Sequence, residues 1–112
     1  ESEHVTFAVN EVCNLAEILI NSDSSLSSIT EYYPLARVSS DEMSATVFFD
    51  SSFKETTAEN AKYRMDVTEE PSDTGTDTNI DYFLIDEGES STCLYSVNLF
   101  THSQISAEKG GQ

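Results

Sequence analysis

The sequence predicts an α+β domain in which an N-terminal amphipathic helix packs on a four-stranded antiparallel meander. Three observations carry this expectation: apolar residues recur every three or four places from Val5 to Ile20, four later segments alternate apolar with polar residues, and the links between those segments are too short for crossover helices. With 112 residues, 38% of them hydrophobic, the chain is long enough for one packed core and too short for two. A single soluble domain is therefore expected, with a helix over 1–21, a connecting loop over 22–42, a sheet over 43–106 and a tail over 107–112.

In the helix, Val5, Ala8, Val9, Val12, Ala16, Leu19 and Ile20 define the face expected to be buried, and Glu3, Asn10, Asn14 and Glu17 fall mainly on the other side. Ser2 is placed to cap the first turn, but Val5 stands where a capping box needs an acid or amide. Such a start resembles a helix cut from a longer one. Asn21 and the serines from Ser22 to Ser28 end the helix, because their side chains compete for backbone hydrogen bonds.

The loop has no sustained period. Ser28-Ile29-Thr30-Glu31 reads as a capping box before one short turn of helix that Pro34 halts, and Leu26, Ile29, Tyr32 or Tyr33, and Leu35 are its expected anchors. A connection of about 20 residues points to function or partner contact. Strands are expected at 43–50, 63–67, 80–86 and 92–101, separated by the turn-forming runs Asp50-Ser51-Ser52, Pro71-Ser72-Asp73-Thr74-Gly75 and Glu87-Gly88-Glu89. In an antiparallel meander one face lies under the helix and the other meets water or a partner. Lys62 and Arg64 are expected on that other face, with Asp50 or Asp81 as their neutralising partners across the sheet.

Two cysteines give no CxxC pair and too few thiols for structural zinc, which leaves a disulfide or two buried thiols. Cys13 lies on or beside the helix stripe, and Cys93 shares a strand face with Tyr95, Val97 and Leu99. The periodicity thus turns both toward one core and favours a Cys13–Cys93 bridge. Closing a loop of about 80 residues would stabilise the fold by roughly 4–5 kcal/mol and place the protein in an oxidising, extracytoplasmic compartment.

The charge balance narrows the partners. Twenty-one acidic residues against five basic ones give a formal net charge of −16. Nucleic acid is disfavoured, since binding it requires lysine and arginine to displace condensed counterions, and anionic membrane surfaces are disfavoured for the same reason. No run approaches the roughly 20 apolar residues of a membrane span. The chain starts at Glu1 without an initiator methionine, so removal of something upstream is expected.

An enzyme is not expected. His4 and His102 stand near opposite ends of the chain, and neither is tied by spacing to a nucleophile. Asp73-Thr74-Gly75 matches the aspartic-protease tripeptide, but Pro71-Ser72 precedes it where that family carries apolar residues, and the tripeptide is common in turns. No cofactor is expected. The acids from Asp66 to Asp81, with Asp73, Asp77 and Asp81 as weak candidate ligands, offer oxygen donors for calcium, although the spacing lacks the glycine and twelfth-position glutamate of an EF-hand.

One family shares this order of elements. The segment Ala8-Val-Asn-Glu-Val-Cys-Asn-Leu-Ala-Glu-Ile-Leu-Ile20, a long helix-to-sheet loop, four antiparallel strands and a cysteine near each end resemble the soluble domain of a type IV pilin or type II secretion pseudopilin. The resemblance covers nearly the whole chain, through residues that are generic. It implies a pilin-like fold, a structural subunit working by protein packing and surface display, other pilin or pseudopilin subunits as partners, and an extracytoplasmic or cell-surface location. Membrane attachment would run only through an anchor helix absent from this sequence, and none of the family's functional residues falls on a position present here. The alternative is a soluble extracellular module that binds a ligand or calcium through residues 66–81.

Overall fold

The computed structural model describes residues 2–22, 25–85 and 91–102. Helix α1 spans Ser2–Asn21. A single 3-10 turn, Leu26–Ser28, leads into the one-turn helix α2 at Ile29–Tyr32. The strands are β1 (Arg37–Val38), β2 (Ser44–Phe49), β3 (Glu55–Thr56), β4 (Tyr63–Pro71), β5 (Gly75–Ile85) and β6 (Ser91–His102), with a second 3-10 turn at Ala58–Asn60.

The four-stranded meander is thereby corrected: the described residues form one six-stranded sheet, antiparallel at every pairing, in the order β1-β2-β4-β5-β6, with β3 also on β2. Two strands escaped the sequence pattern because a two-residue strand contains no period to detect. β1 pairs with Thr46 and Ala45, and β3 with Phe48 and Phe49, so the two lie end to end along the edge of β2 opposite β4. The central strands are also longer than expected. Thr68–Asn79, Glu69–Thr78, Glu70–Asp77 and Pro71–Thr76 continue the β4–β5 ladder through residues whose polarity reads as loop. Asp86, the run Glu87-Gly88-Glu89, residues 103–106 of the expected sheet and the tail at 107–112 lie outside the described residues.

Alternation places Ala45, Val47, Phe49, Tyr63, Met65, Val67, Ile80 and Tyr82 on the inner face of the sheet, all buried. Helix α1 covers them with Ala8, Val12, Leu15 and Leu19, spaced four, three and four residues apart. Each of the valine and leucine side chains, fully removed from water, contributes about 1.5–3 kcal/mol, and the Ala8 methyl less. The stripe is narrower than the sequence suggested and is centred elsewhere. Leu15 is at its middle, Val9 and Ala16 are half-buried, and Val5 and Ile20 remain 43% and 57% exposed. An apolar arc wider than the contact leaves one flank of a helix uncovered, and here that flank is Val5, Val9, Ala16 and Ile20.

The opposite flank meets an aromatic cluster at the other side of the sheet. Phe7 stacks on Phe53 with ring centroids 4.7 Å apart and meets Phe49 edge-on at 5.4 Å. Phe53 has φ +65°, a backbone region unfavourable for an aromatic residue. Its turn is held by the Asp50 carboxylate, which accepts from the Ser52 and Lys54 amides at 2.8 and 3.0 Å. Between helix and sheet, Leu26, Ile29 and Tyr33 anchor the connection, whereas Tyr32 and Leu35 are exposed. The expected capping box does not form. Ser28 is itself helical and its hydroxyl donates to the Ser25 carbonyl at 2.7 Å, while Ser25 Oγ accepts from the Ser27 amide.

Candidate functional site

The outer face of the sheet is a polar surface whose groups are bonded chiefly to one another. Asp66 on β4 sits directly opposite Asp81 on β5, a like-charged pair that register alone would make unfavourable. Each carboxylate finds relief on its own side. Arg64 Nε donates to both oxygens of Asp66 at 3.0 Å, and the Ser96 hydroxyl of β6 donates to Asp81. One ladder step away, the Asn98 amide donates to Asp77 and to Asn79, both at 2.8 Å. The Arg64 guanidinium also lies over the Phe83 ring, 4.5 Å from its centroid, and Arg37 lies 5.8 Å from that of Phe48. Arg64 thus pairs along its own strand rather than with the expected Asp50 or Asp81.

The weak calcium candidates do not converge. Asp77 and Asp81 are four residues apart on one strand, about 13 Å at normal strand rise, and Asp73 belongs to the turn between β4 and β5. Among the described residues no group of three or more His, Cys, Asp or Glu side chains has the geometry to hold a metal ion. The stretch 66–81 is two paired strands and a tight turn, in which the Ser72 amide donates to the Gly75 carbonyl at 2.7 Å.

The cysteine expectation is corrected as well. Cys13 and Cys93 are both free and exposed, so neither faces the core. Leu94 is the reason for Cys93: β5 and β6 pair Tyr82 with Tyr95 but Phe83 with Cys93, which leaves Leu94 as an extra residue in a β-bulge. One inserted residue reverses the alternation, so Cys93 leaves the face of Tyr95, Val97 and Leu99 for that of Phe83. Cys13 lies about 160° around α1 from buried Leu15, on the side turned away from the core.

His4 and His102 are far apart in role as in sequence. His4 Nε2 lies 2.9 Å from the Tyr63 hydroxyl and its ring meets Tyr63 and Phe53 edge-on, a packing role in the aromatic cluster. His102 is exposed at the end of β6 against Phe100, opposite Gly75. The titratable groups with perturbed acidity lie mainly in the two-layer interior. Burial, and then the 2.8 Å hydrogen bond it donates to Glu11, hold the Tyr33 hydroxyl above the usual tyrosine range. Burial does the same for Tyr82, whose hydroxyl is enclosed without a hydrogen-bond partner. Burial also raises Glu69, which points inward opposite Thr78, and Glu55, although the bond Glu55 accepts from the Leu35 amide at 2.8 Å opposes the shift.

Large apolar side chains also stand at the surface. Val5, Ile20, Tyr32, Leu35, Met43 and Phe100 are large hydrophobic residues at 37–61% exposure on a chain of net charge −16. Tyr32 lines a shallow groove between α1 and α2 with Glu17, Ile18, Asn21 and Glu31. The sequence makes Leu35 and either Tyr32 or Tyr33 expected anchors and Val5 and Ile20 expected core; of the two tyrosines Tyr33 is the buried one, and the width of the apolar arc on α1 is the signal that one flank stays open. No protein-family model, curated protein or solved structure matches this chain.

Proposed function

We propose that the protein is an assembly module without catalytic activity, which works by packing against other proteins, in its most specific form as a subunit of an extracytoplasmic filament or secretion pseudopilus. The observation that carries the reading is the set of large apolar side chains held at the surface of a strongly acidic molecule. Acidic groups keep the molecule soluble, while apolar ones gain free energy only when a partner removes them from water. The outer-face network supports the same reading, since its carboxylates and amides largely satisfy one another and present a preformed surface.

The filament form draws on the amphipathic α1 laid along one face of an antiparallel sheet, with a flank left open for neighbours. It requires an anchor of about 20 apolar residues in the coding sequence just upstream of Glu1. Reading that sequence tests it: an apolar run of this length supports the filament subunit, and a polar stretch or an unrelated folded domain there overturns it. For the assembly reading itself, a photo-crosslinking residue is placed at Ile20 and at Tyr32 in the producing cell. Discrete protein adducts from either position support the reading, and crosslinks confined within the chain at both positions overturn it.

A further inference from the structure

We infer that a second copy of this chain docks along β6, joining the two sheets edge to edge across a two-fold axis. The inference rests on the reading of the protein as an assembly module and names its partner. β6 is the terminal strand of the sheet, twelve residues long and paired only with β5 among the described residues. Half of its backbone donors and acceptors therefore point away from the molecule. Edges of this length are normally blunted by charge, proline, bulges or short strands. Of these β6 has only the bulge at Leu94 near its start, and from Ser91 to Thr101 it holds no charged side chain although the protein has 21 acids in 112 residues.

The helix above repeats the pattern. α1 packs against β6, and its other flank is committed to the far side, where His4 and Phe7 meet Phe53 and Phe49, and Glu11 meets Tyr33. At 100° per residue, the flank turned toward the β6 side is Val5, Val9, Cys13, Ala16 and Ile20, again without charge. Strand edge and helix flank thus form one uncharged side on a molecule that is acidic elsewhere.

That charge pattern leaves one favoured approach for a second copy. Two molecules of charge −16 repel from every direction, and least at contact where uncharged surfaces meet. A two-fold axis perpendicular to the sheet makes β6 antiparallel to its counterpart and keeps both helices on the same face, so strand meets strand and flank meets flank, as an isologous interface requires. The strip is roughly 40 Å long, from twelve residues at strand rise, and roughly 15–20 Å deep across the two layers, of order 600–800 Å² per copy, which approaches a standard-size interface.

Sedimentation velocity on the purified chain, from about 1 to 300 μM in 0.05 and 0.5 M NaCl, tests the proposal. A monomer–dimer equilibrium that tightens about tenfold or more at the higher salt is expected, because screening removes repulsion between like-charged copies. The double substitution V5E/I20E, and separately Asn98→Glu, should each weaken the dimer at least tenfold with an unchanged circular dichroism spectrum. Tyr32→Glu, off the strip, should leave it intact. A monomer under all conditions overturns the second copy. So does a dimer that salt weakens, or one that resists the strip substitutions and yields to Tyr32→Glu. A monomer whose Ile20 or Tyr32 crosslinks to a different protein would sink this inference and leave the assembly reading standing.

Discussion

The two edges of the sheet are built on opposite plans. At the β2 edge, two strands of two residues each lie end to end, β3 carries the acid Glu55, and that carboxylate ties the Leu35 amide across the gap. At the β6 edge a strand six times as long runs on with a single bulge at Leu94 and no Asp, Glu, Lys or Arg from Ser91 to His102. Short, charged, cross-tied edges resist strand addition, and long neutral ones invite it. The difference leaves a strand edge open to pairing on one side of the molecule and closes it on the other.

The largest test of this contrast is at the end of β6. A β-carbon added to Gly75 would run into the Thr101 carbonyl oxygen and come within 2.8 Å of the Phe100 ring and 2.9 Å of the His102 Cα. Gly75→Ala therefore has to push β6 away from β5 and should destabilise the fold by about 2–3 kcal/mol in urea denaturation. A loss under about 0.5 kcal/mol would mean that this end of β6 is not held against β5.

On the protected edge, Glu55→Gln keeps the shape and removes the charge from the acceptor of the Leu35 amide. Relief of the desolvated charge offsets the weaker acceptor, so stability should change by less than about 0.5 kcal/mol while hydrogen exchange at Leu35 quickens. No change at Leu35 would show that the tie does not close this edge.

Glu69, on the inner face of β4, predicts a pH effect. Burial raises its folded pKa above the unfolded one, so its contribution favours folding below the unfolded pKa and is lost as pH rises through the folded pKa. Glu69→Gln should accordingly stabilise the protein at pH 7, by no more than about 1 kcal/mol, and the gain should shrink as pH falls into the carboxylate range. A variant less stable than the parent at pH 7 would contradict the burial cost.

The smallest effect belongs to Tyr82→Phe. Its hydroxyl is enclosed without a partner, so removing it should change stability by less than about 0.5 kcal/mol, or improve it, by thermal unfolding. A loss above about 1 kcal/mol would reveal a hydrogen bond that the hydroxyl makes in solution.

Much of the fold was legible because periodicity is local. The three-and-four spacing on α1 marked Ala8, Val12 and Leu19 as buried, and the alternation in β2 marked Ala45, Val47 and Phe49. Alternation fails where polar residues continue a ladder: Thr68, Glu69, Glu70 and Thr76 lie outside the alternating segments, yet their backbones pair. The threonines there, β-branched and suited to strands, were the available signal. The candidate site was less legible. Asp73, Asp77 and Asp81 looked like a cluster by composition, and a strand holds two of them apart.

The sequence alone determined the acidity, the amphipathic helix and the β character of the second half, because charge and repeating polarity are properties of neighbours along a chain. Tertiary structure decided which flank of α1 stays uncovered, where Cys93 points after the bulge at Leu94, and that β6 ends the sheet among the described residues. Each of these depends on how distant segments are registered against one another, and a shift of a single residue in that register turns a side chain from the core to the solvent.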